Sequence, residues 1–438
     1  MEPVNAGEKI LSGKENECTG HKRMTGIERE GFMMTCFIPK KYKFSAVHAG
    51  IKQDKTREDL ALIVSEVPAT AAGVYTRNIV CAAPVVVDRQ RTPASEIRAV
   101  VINSGNANAC TGERGIQDAR NMAKFAAEQI GAEETSTLVM STGIIGHFLP
   151  MENVQAGILK ALSILSPTQE GMESVARGMM TTDTVMKLFT AEVMVEGVPV
   201  RIAVMGKGAG MIAPNMGTFL GVIATDAFLS AGSAQKLLQK VADQTINCVT
   251  VDGHVSTNDT FLMLANGAAF SEEKGSEFAE IPDAADSPEF CAELLRLCTQ
   301  LAREMANDGE GASHMITIHV RGLKSDADAK KIARAVADSP LVKCACTGND
   351  PNWGRIVSAA GYAGIPFDAQ KVSLRVNDFL LFEKGSPAKF DAPAVSASMK
   401  ENREICVELF FEEGSGNACV WTSDLTVDYV HINADYHT

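Results

Sequence analysis

Several signatures that would fix a function at once are missing from this chain. It contains no run of roughly eighteen apolar residues, the span a membrane-crossing helix requires, so no membrane segment is expected. Its eleven cysteines include no C-x-x-C pair, and its eight histidines form neither H-x-x-H nor H-E-x-x-H. The ligand spacings of zinc and dithiol sites are absent, and no metal is expected. An odd number of widely spaced cysteines fits reduced residues in a reducing compartment. The single C-x-C, Cys344 and Cys346, reads as two side chains on one face of a strand. No Lys/Arg block is long enough for a nucleic-acid footprint. With 41 basic against 54 acidic residues the net charge is −13, which argues against a polyanion partner. The first thirty residues lack the apolar core of a secretory signal, and their acidic residues, Glu2 to Glu30, count against a transit peptide. Residues 1–29 are expected to be a loosely ordered extension, and the protein is expected to be cytoplasmic.

What remains is the composition of a globular α/β protein. Hydrophobic residues make up 45% and charged residues 22% of 438 positions. That length suggests two domains or more and can bury a core without disulfides. Short β-branched runs bounded by turn residues read as strands at Leu60 to Val64, Ala82 to Val87, Val100 to Ile102 and Thr137 to Met140. Helical spacing covers Ile116 to Ile130, Val154 to Leu165, Gly171 to Met180, Ala234 to Ile246 and Ser325 to Asp338. Ser287-Pro288 supplies a cap and first-turn proline for a helix ending at Asn307-Asp308-Gly309. Two strands flank Glu196-Gly197 as a hairpin. Later strands are expected at His314 to Val320, Val372 to Val376, Ile405 to Phe410 and Ala418 to Thr422.

Near the midpoint lies Lys207-Gly208-Ala209-Gly210-Met211-Ile212-Ala213-Pro214-Asn215-Met216-Gly217-Thr218, between two expected strands. Three readings compete. It can be a Gly-rich connection. It can be a phosphate cradle, but the G-x-x-x-x-G-K-[ST] order is absent. It can carry a threonine nucleophile freed by cleavage before it. A threonine hydroxyl is a weak nucleophile, and its own α-amino group, once released, can serve as the base. Other loops bear polar groups suited to such chemistry. In Ser141-Thr142-Gly143 the Gly143 N–H and the Thr142 hydroxyl can form an oxyanion hole, worth about 3 kcal/mol per donor. Taken alone, such a tripeptide is more often structural. Glu310, between two glycines, is either a turn residue or a partner for a substrate ammonium. Trp353, in a Gly/Asn/Pro-rich loop, serves either packing or the site.

The central stretch resembles the autoprocessing site of the ornithine acetyltransferase family, the glutamate N-acetyltransferases of arginine biosynthesis. The resemblance extends from about Phe32 to Thr438. It includes Asn103-Ser104-Gly105-Asn106-Ala107-Asn108-Ala109-Cys110-Thr111-Gly112, Ser141-Thr142-Gly143, Thr181-Thr182-Asp183-Thr184, Ser256-Thr257-Asn258-Asp259-Thr260, Gly309-Glu310-Gly311-Ala312 and Gly348-Asn349-Asp350-Pro351-Asn352-Trp353-Gly354-Arg355. It implies a layered αββα-type domain with an internal cleavage site, over 30–309, and a smaller C-terminal α/β domain, over 310–438. It implies self-cleavage between Gly217 and Thr218 into chains 1–217 and 218–438, which stay together as a dimer of cleaved pairs. Thr218 is then the nucleophile and Thr142 and Gly143 the oxyanion hole. Thr181 (or Thr182, one position on), Lys207, Thr218, Glu310, Asn433 and Thr438 contact substrate.

The implied reaction is ping-pong transfer of acetyl from N-acetylornithine to glutamate. No cofactor is implied, although some members also take acetyl-CoA as donor. Three positions depart from the family pattern: Gly217 where alanine is usual, His254 in place of a carboxylate and His314 in place of a lysine. They leave room for a paralogue acting on another acyl-amino acid. A threonine-nucleophile amidohydrolase and a silent binding protein are the competing classes.

Overall fold

The computed structural model describes residues 36–213, 219–273 and 281–435. Gly217, Thr218, Thr438 and the extension 1–29 lie outside the described residues. Residues 36–438 form one unit.

The chain opens with β1 (Tyr42–Val47), β2 (Leu60–Tyr75), α1 (Ala83–Arg91), β3 (Ala94–Asn106), α2 (Gly112–Gln129), β4 (Thr137–Ile144), α3 (Met151–Ser163) and α4 (Gln169–Met179). A hairpin follows, β5 (Lys187–Val195) and β6 (Val198–Lys207), then β7 (Leu220–Thr225), α5 (Ala231–Gln244), β8 (Val249–Thr250), β9 (Thr260–Ala265), α6 (Ala268–Glu273) and α7 (Pro288–Asn307). The remainder is β10 (Met315–Leu323), α8 (Asp326–Ala337), α9 (Pro340–Thr347), α10 (Trp353–Gly361), β11 (Ser373–Val376), β12 (Phe379–Glu383), β13 (Ser386–Pro387), α11 (Ala392–Glu401), β14 (Glu404–Phe410), β15 (Gly416–Ser423) and α12 (Val427–Asp435).

The first sheet runs β4-β3-β2-β9-β7-β6-β5, with β1 also paired to β2. β2 is long enough to serve two neighbourhoods. Its first part, Leu60 to Val64, pairs with β3, and its last part, Thr70 to Tyr75, pairs with β9. Alternation along the strands then sorts the side chains. Ala61, Ile63, Val100, Ile102, Leu138 and Met140 share one cluster with Met205, Val222, Leu262 and Leu264 from the other half of the sheet. Leu60, Leu62, Val101 and Val139 point the opposite way, onto α1, α2 and α3. Ile202, Val204, Ile223, Phe261 and Met263 point onto α5 and α7. The result is the layered αββα arrangement, with the halves of one sheet face to face. Period-2 alternation places apolar residues on both faces, as burial on both sides requires.

Local chemistry explains the element ends. Glu196 and Gly197 both take positive φ, 49° and 76°, which suits the two-residue turn of the β5–β6 hairpin. Ser287 accepts the Phe290 N–H at the start of α7, and Pro288 sits in its first turn. That helix buries Phe290, Leu294, Leu297, Cys298, Leu301 and Met305. Burying a side chain of the size of Leu or Phe stabilises by roughly 1.5–3 kcal/mol.

The second sheet runs β13-β12-β11-β14-β10-β15-β8 and packs against α8, α9, α10 and α11. It draws its edge strand β8 from the chain before α7, through parallel pairing of Val249 and Thr250 with Trp421 and Thr422.

Two expected strand features are corrected. Ala82 to Val87 is not a strand, because Pro84 lies in the first turn of α1. Proline presets φ for a helix start and cannot donate within a sheet. The Val85-Val86-Val87 run buries Val85 and Val87 from that helix. Cys344 and Cys346 lie on α9, begun by Pro340, with Cys346 buried and Cys344 exposed. Two residues apart on a helix point to different sides, so the pair shares no face. Trp353 starts α10 behind the Asn352 cap and stacks on Phe382, centroids 5.1 Å apart. Its contacts are those of packing in the second core. Asn433 lies on α12 and is bonded, where an unbound terminus would fray.

Candidate active site

The central stretch leaves β6 at Lys207 and passes the ends of several strands. Lys207 is 1% exposed. Its Nζ is 3.8 Å from Asp183 Oδ2. Asp183 also takes Lys187 Nζ at 2.9 Å, the Gly208 N–H at 2.6 Å and the Thr181 N–H at 3.1 Å. Lys187 Nζ reaches Asp308 Oδ2 at 2.5 Å on its other side. Burial alone would raise the Asp183 carboxyl, but the Lys207 and Lys187 charges outweigh it and hold the group well below the usual carboxylate range. Burial would lower Lys187, yet Asp183 and Asp308 keep it above its ordinary value. Lys207 differs. Burial pulls it below its ordinary value, helped by Lys187 and opposed by Asp183 and Glu310. Lys207 is thus a buried lysine whose counter-ion, Asp183, does not offset its desolvation.

Glu310 is positioned from the backbone up. Its N–H donates to the Ala209 carbonyl at 2.9 Å. Its carboxyl lies over Gly210, where an added Cβ would come within 2.3 Å of the carboxyl carbon. Any side chain there would displace the Glu310 carboxylate. Asn433 Nδ2 donates to Glu310 Oε2 at 2.8 Å, which brings α12 to the site.

Thr142 and Gly143 end β4. Thr142 is buried. Gly143 has φ of +132°, and a Cβ there would meet the Gly105 carbonyl carbon at 2.3 Å, so the position needs glycine. Gly105 in turn lies against the Lys52 side chain. Lys52 Nζ donates to the Met180 carbonyl at 2.7 Å, one residue before Thr181. Arg57 donates to the Thr181 carbonyl at 2.7 Å. Burial, with Arg57 and Lys207 nearby, lowers Lys52 to about 8. The structure therefore joins Thr142 and Gly143 through Gly105 and Lys52 to Thr181, and through Asp183 to Lys207, Glu310 and Asn433.

Sequence reasoning missed the groups that hold this assembly. Asp59 accepts the N–H groups of Ala49, Gly50, Ile51 and Lys52 at 2.6–3.1 Å, which sets the segment bearing Lys52. Asn258 Nδ2 bridges the Ala107 and Ser141 carbonyls at 2.6 and 2.8 Å, tying two polar loops together. Asp308 had looked only like a helix end, yet it is the second counter-ion of Lys187. Of the departing residues, His254 carries its N–H to Asp252 Oδ1 at 3.0 Å. His314 Nδ1 is 3.1 Å from Asp424 Oδ2. Among the described residues no group of three His, Cys, Asp or Glu is placed to hold a metal ion, and no helix is long and apolar enough to cross a membrane.

Residues 43–438 match the model of the ArgJ family. The arginine biosynthesis bifunctional protein ArgJ of Rhodopirellula baltica is 45% identical over 409 residues, 92% of this chain and 96% of that protein. Its counterpart in Geobacter sulfurreducens is 45% identical over 401 residues, covering 91% and 99%. The crystal structure of arginine biosynthesis bifunctional protein argJ from Bacillus halodurans is similar at 35% identity, with a TM-score of 0.45, over 49% of this chain and 98% of that one. With the family model spanning most of its length and relatives matched almost end to end, the chain belongs to the ArgJ family.

Proposed function

We propose that this protein is a self-cleaving acetyltransferase of arginine biosynthesis, moving acetyl from N-acetylornithine to glutamate through an acetyl-Thr218 intermediate. The observation that carries the reading is the pair of opposite charges, one on the stretch after β6 and one packed over it. Lys207 is a buried, under-compensated cation, and Glu310 lies over Gly210 beside it. An amino-acid substrate presents a carboxylate and an ammonium, and this pair meets both.

The sequence of steps follows from the groups. Cleavage at Gly217-Thr218 frees the Thr218 α-amine. That amine accepts the Thr218 hydroxyl proton as Oγ attacks the acetyl carbon of N-acetylornithine. The developing oxyanion is met by Thr142 and Gly143. Ornithine leaves with the proton, glutamate enters the same charge pair, and its amine takes the acetyl group. Thr181, Asn433 and Thr438 complete the substrate contacts. Acetyl-CoA is an additional donor to test. The working form is a dimer of cleaved pairs in the cytoplasm, with the smaller C-terminal domain taken from 310–438.

The test is acetyl transfer from labelled N-acetylornithine to glutamate by wild type and Thr218→Ala. Wild type should make N-acetylglutamate, and the variant should neither cleave nor transfer. Transfer surviving in the variant would remove Thr218 as nucleophile. Release of acetate in place of N-acetylglutamate would mark a hydrolase.

A further inference from the structure

One loop grips the chain on both sides of the central segment. The loop after β8, residues 251–259, carries two aspartates, Asp252 half-buried and Asp259 fully buried. Asp252 accepts the Met211 N–H on Oδ2 at 2.6 Å and the Ile212 N–H on Oδ1 at 3.1 Å. The Ile212 carbonyl is held in turn by the Val251 N–H at 2.7 Å. Asp259 accepts the Phe219 N–H on Oδ1 at 3.0 Å, and the Phe219 carbonyl takes the Thr260 N–H at 2.9 Å. Ile212 and Phe219 are thus each fixed through both backbone polar groups. Only residues 213–218 lie between them.

We propose that Asp252 and Asp259 are positioning residues for self-cleavage and that Asp259 alone goes on to position the nucleophile in the cut enzyme. This rests on the reading that the chain is cut before Thr218. Before the cut, both aspartates fix the segment that carries the scissile bond. After it, Asp252 holds the end of the first chain beside Lys207 and Gly210. Asp259 holds the peptide N–H that joins Phe219 to Thr218.

The two carboxyls do their work differently. Both oxygens of Asp252 are occupied, since Oδ1 also takes the His254 N–H at 3.0 Å and Oδ2 the Tyr429 hydroxyl at 3.3 Å. Asp259 is fully buried, uses Oδ1 for Phe219, and its Oδ2 has no hydrogen-bond partner among the described residues. Burial pushes both carboxyls upward, Asp259 strongly so, against the Phe219 N–H bond and the Lys207 charge. A neutral amide can therefore replace Asp259 and keep its one bond. At Asp252 an amide must give up one of the two chain N–H groups.

The experiment follows intact mass over time after synthesis of the full chain, then kinetics of each enzyme once cut to completion. Asp259→Leu should slow cleavage about tenfold or more, the factor one hydrogen bond of ordinary strength commands, and should lower kcat of the cut enzyme. Asp259→Asn should restore both. Asp252→Leu and Asp252→Asn should both slow cleavage. In the cut enzyme they should raise KM while leaving kcat within about twofold, because the lost contact supports binding of the ground and transition states alike. Wild-type cleavage and kcat in Asp259→Leu would overturn the assignment, as would Asp259→Asn behaving like Asp259→Leu. Should the leucine variants fail to fold, the two asparagine variants decide it, and equal slowing in both overturns it. An uncut wild type overturns this inference together with the reading beneath it. A cut wild type with unaffected variants overturns this inference alone.

Discussion

Lys187 and Lys343 are both buried lysines, one beside each sheet, and they are satisfied in opposite ways. Lys187 sits between Asp183 and Asp308, at 2.9 and 2.5 Å, and the two carboxylates hold its pKa above the ordinary value despite burial. Lys343, on α9, has among the described residues two neutral acceptors in contact, the Thr422 hydroxyl at 2.7 Å and the Ser423 carbonyl. Burial lowers it to about 8, although Asp338 and Asp424 lie near enough to oppose this. Burial alone does not decide the state of a lysine; the number of carboxylates in contact does. Lys207 stands between these extremes, with one carboxylate at 3.8 Å. That intermediate position is the ground for the proposal that it meets a substrate anion.

Breaking the strong cluster should have the largest effect. Lys187→Met leaves Asp183 and Asp308 buried without their shared counter-ion. It should cost about 3–5 kcal/mol in denaturant unfolding. Lys207→Met should cost less in stability and more in function. Losing a charge-assisted bond of about 1.5–3 kcal/mol should raise KM roughly 10- to 150-fold. Lys343→Met breaks only neutral bonds and should cost about 1–2 kcal/mol. A loss as large as that of Lys187→Met would erase the contrast.

The pH dependence sharpens it: stability rises with pH in both windows, through a stabilising contribution gained at Asp183 and a penalty relieved at Lys343. Asp183 is depressed in the folded state, so its contribution is full above about pH 4, the ordinary aspartate value. It is lost as pH falls from there through the depressed folded value. Lys343 is also lowered, but for a lysine this penalises folding wherever the unfolded chain holds the extra proton. Wild-type stability relative to Lys343→Met should therefore rise as pH climbs from about 8 toward the ordinary lysine value of about 10.4. Unfolding midpoints across pH for wild type, Asp183→Asn and Lys343→Met check both limbs.

Much of the fold was legible because its cues are local. The Ser287-Pro288 cap, the Glu196-Gly197 turn and the alternation of β6 each act over a few residues. Where two local cues compete, the reading failed. The Val85 to Val87 run favours a strand, and Pro84 before it starts a helix. At the site, Glu310, Lys207 and Asn433 were visible through the resemblance to a family. Their supports were not, because the groups are far apart in the chain. Lys187 and Asp308 are separated by 121 positions. Asn258 reaches Ala107 across 151. No spacing rule brings such pairs together; the stacked halves of the first sheet do.

The claim on which all of this depends is that the chain is cut between Gly217 and Thr218. Intact mass of the purified protein under denaturing conditions tests it directly. Two species, matching residues 1–217 and 218–438 with threonine at the new N-terminus, are the predicted result. A single full-length species that nonetheless transfers acetyl would contradict the account, because Thr218 would then have no free α-amine to serve as its base.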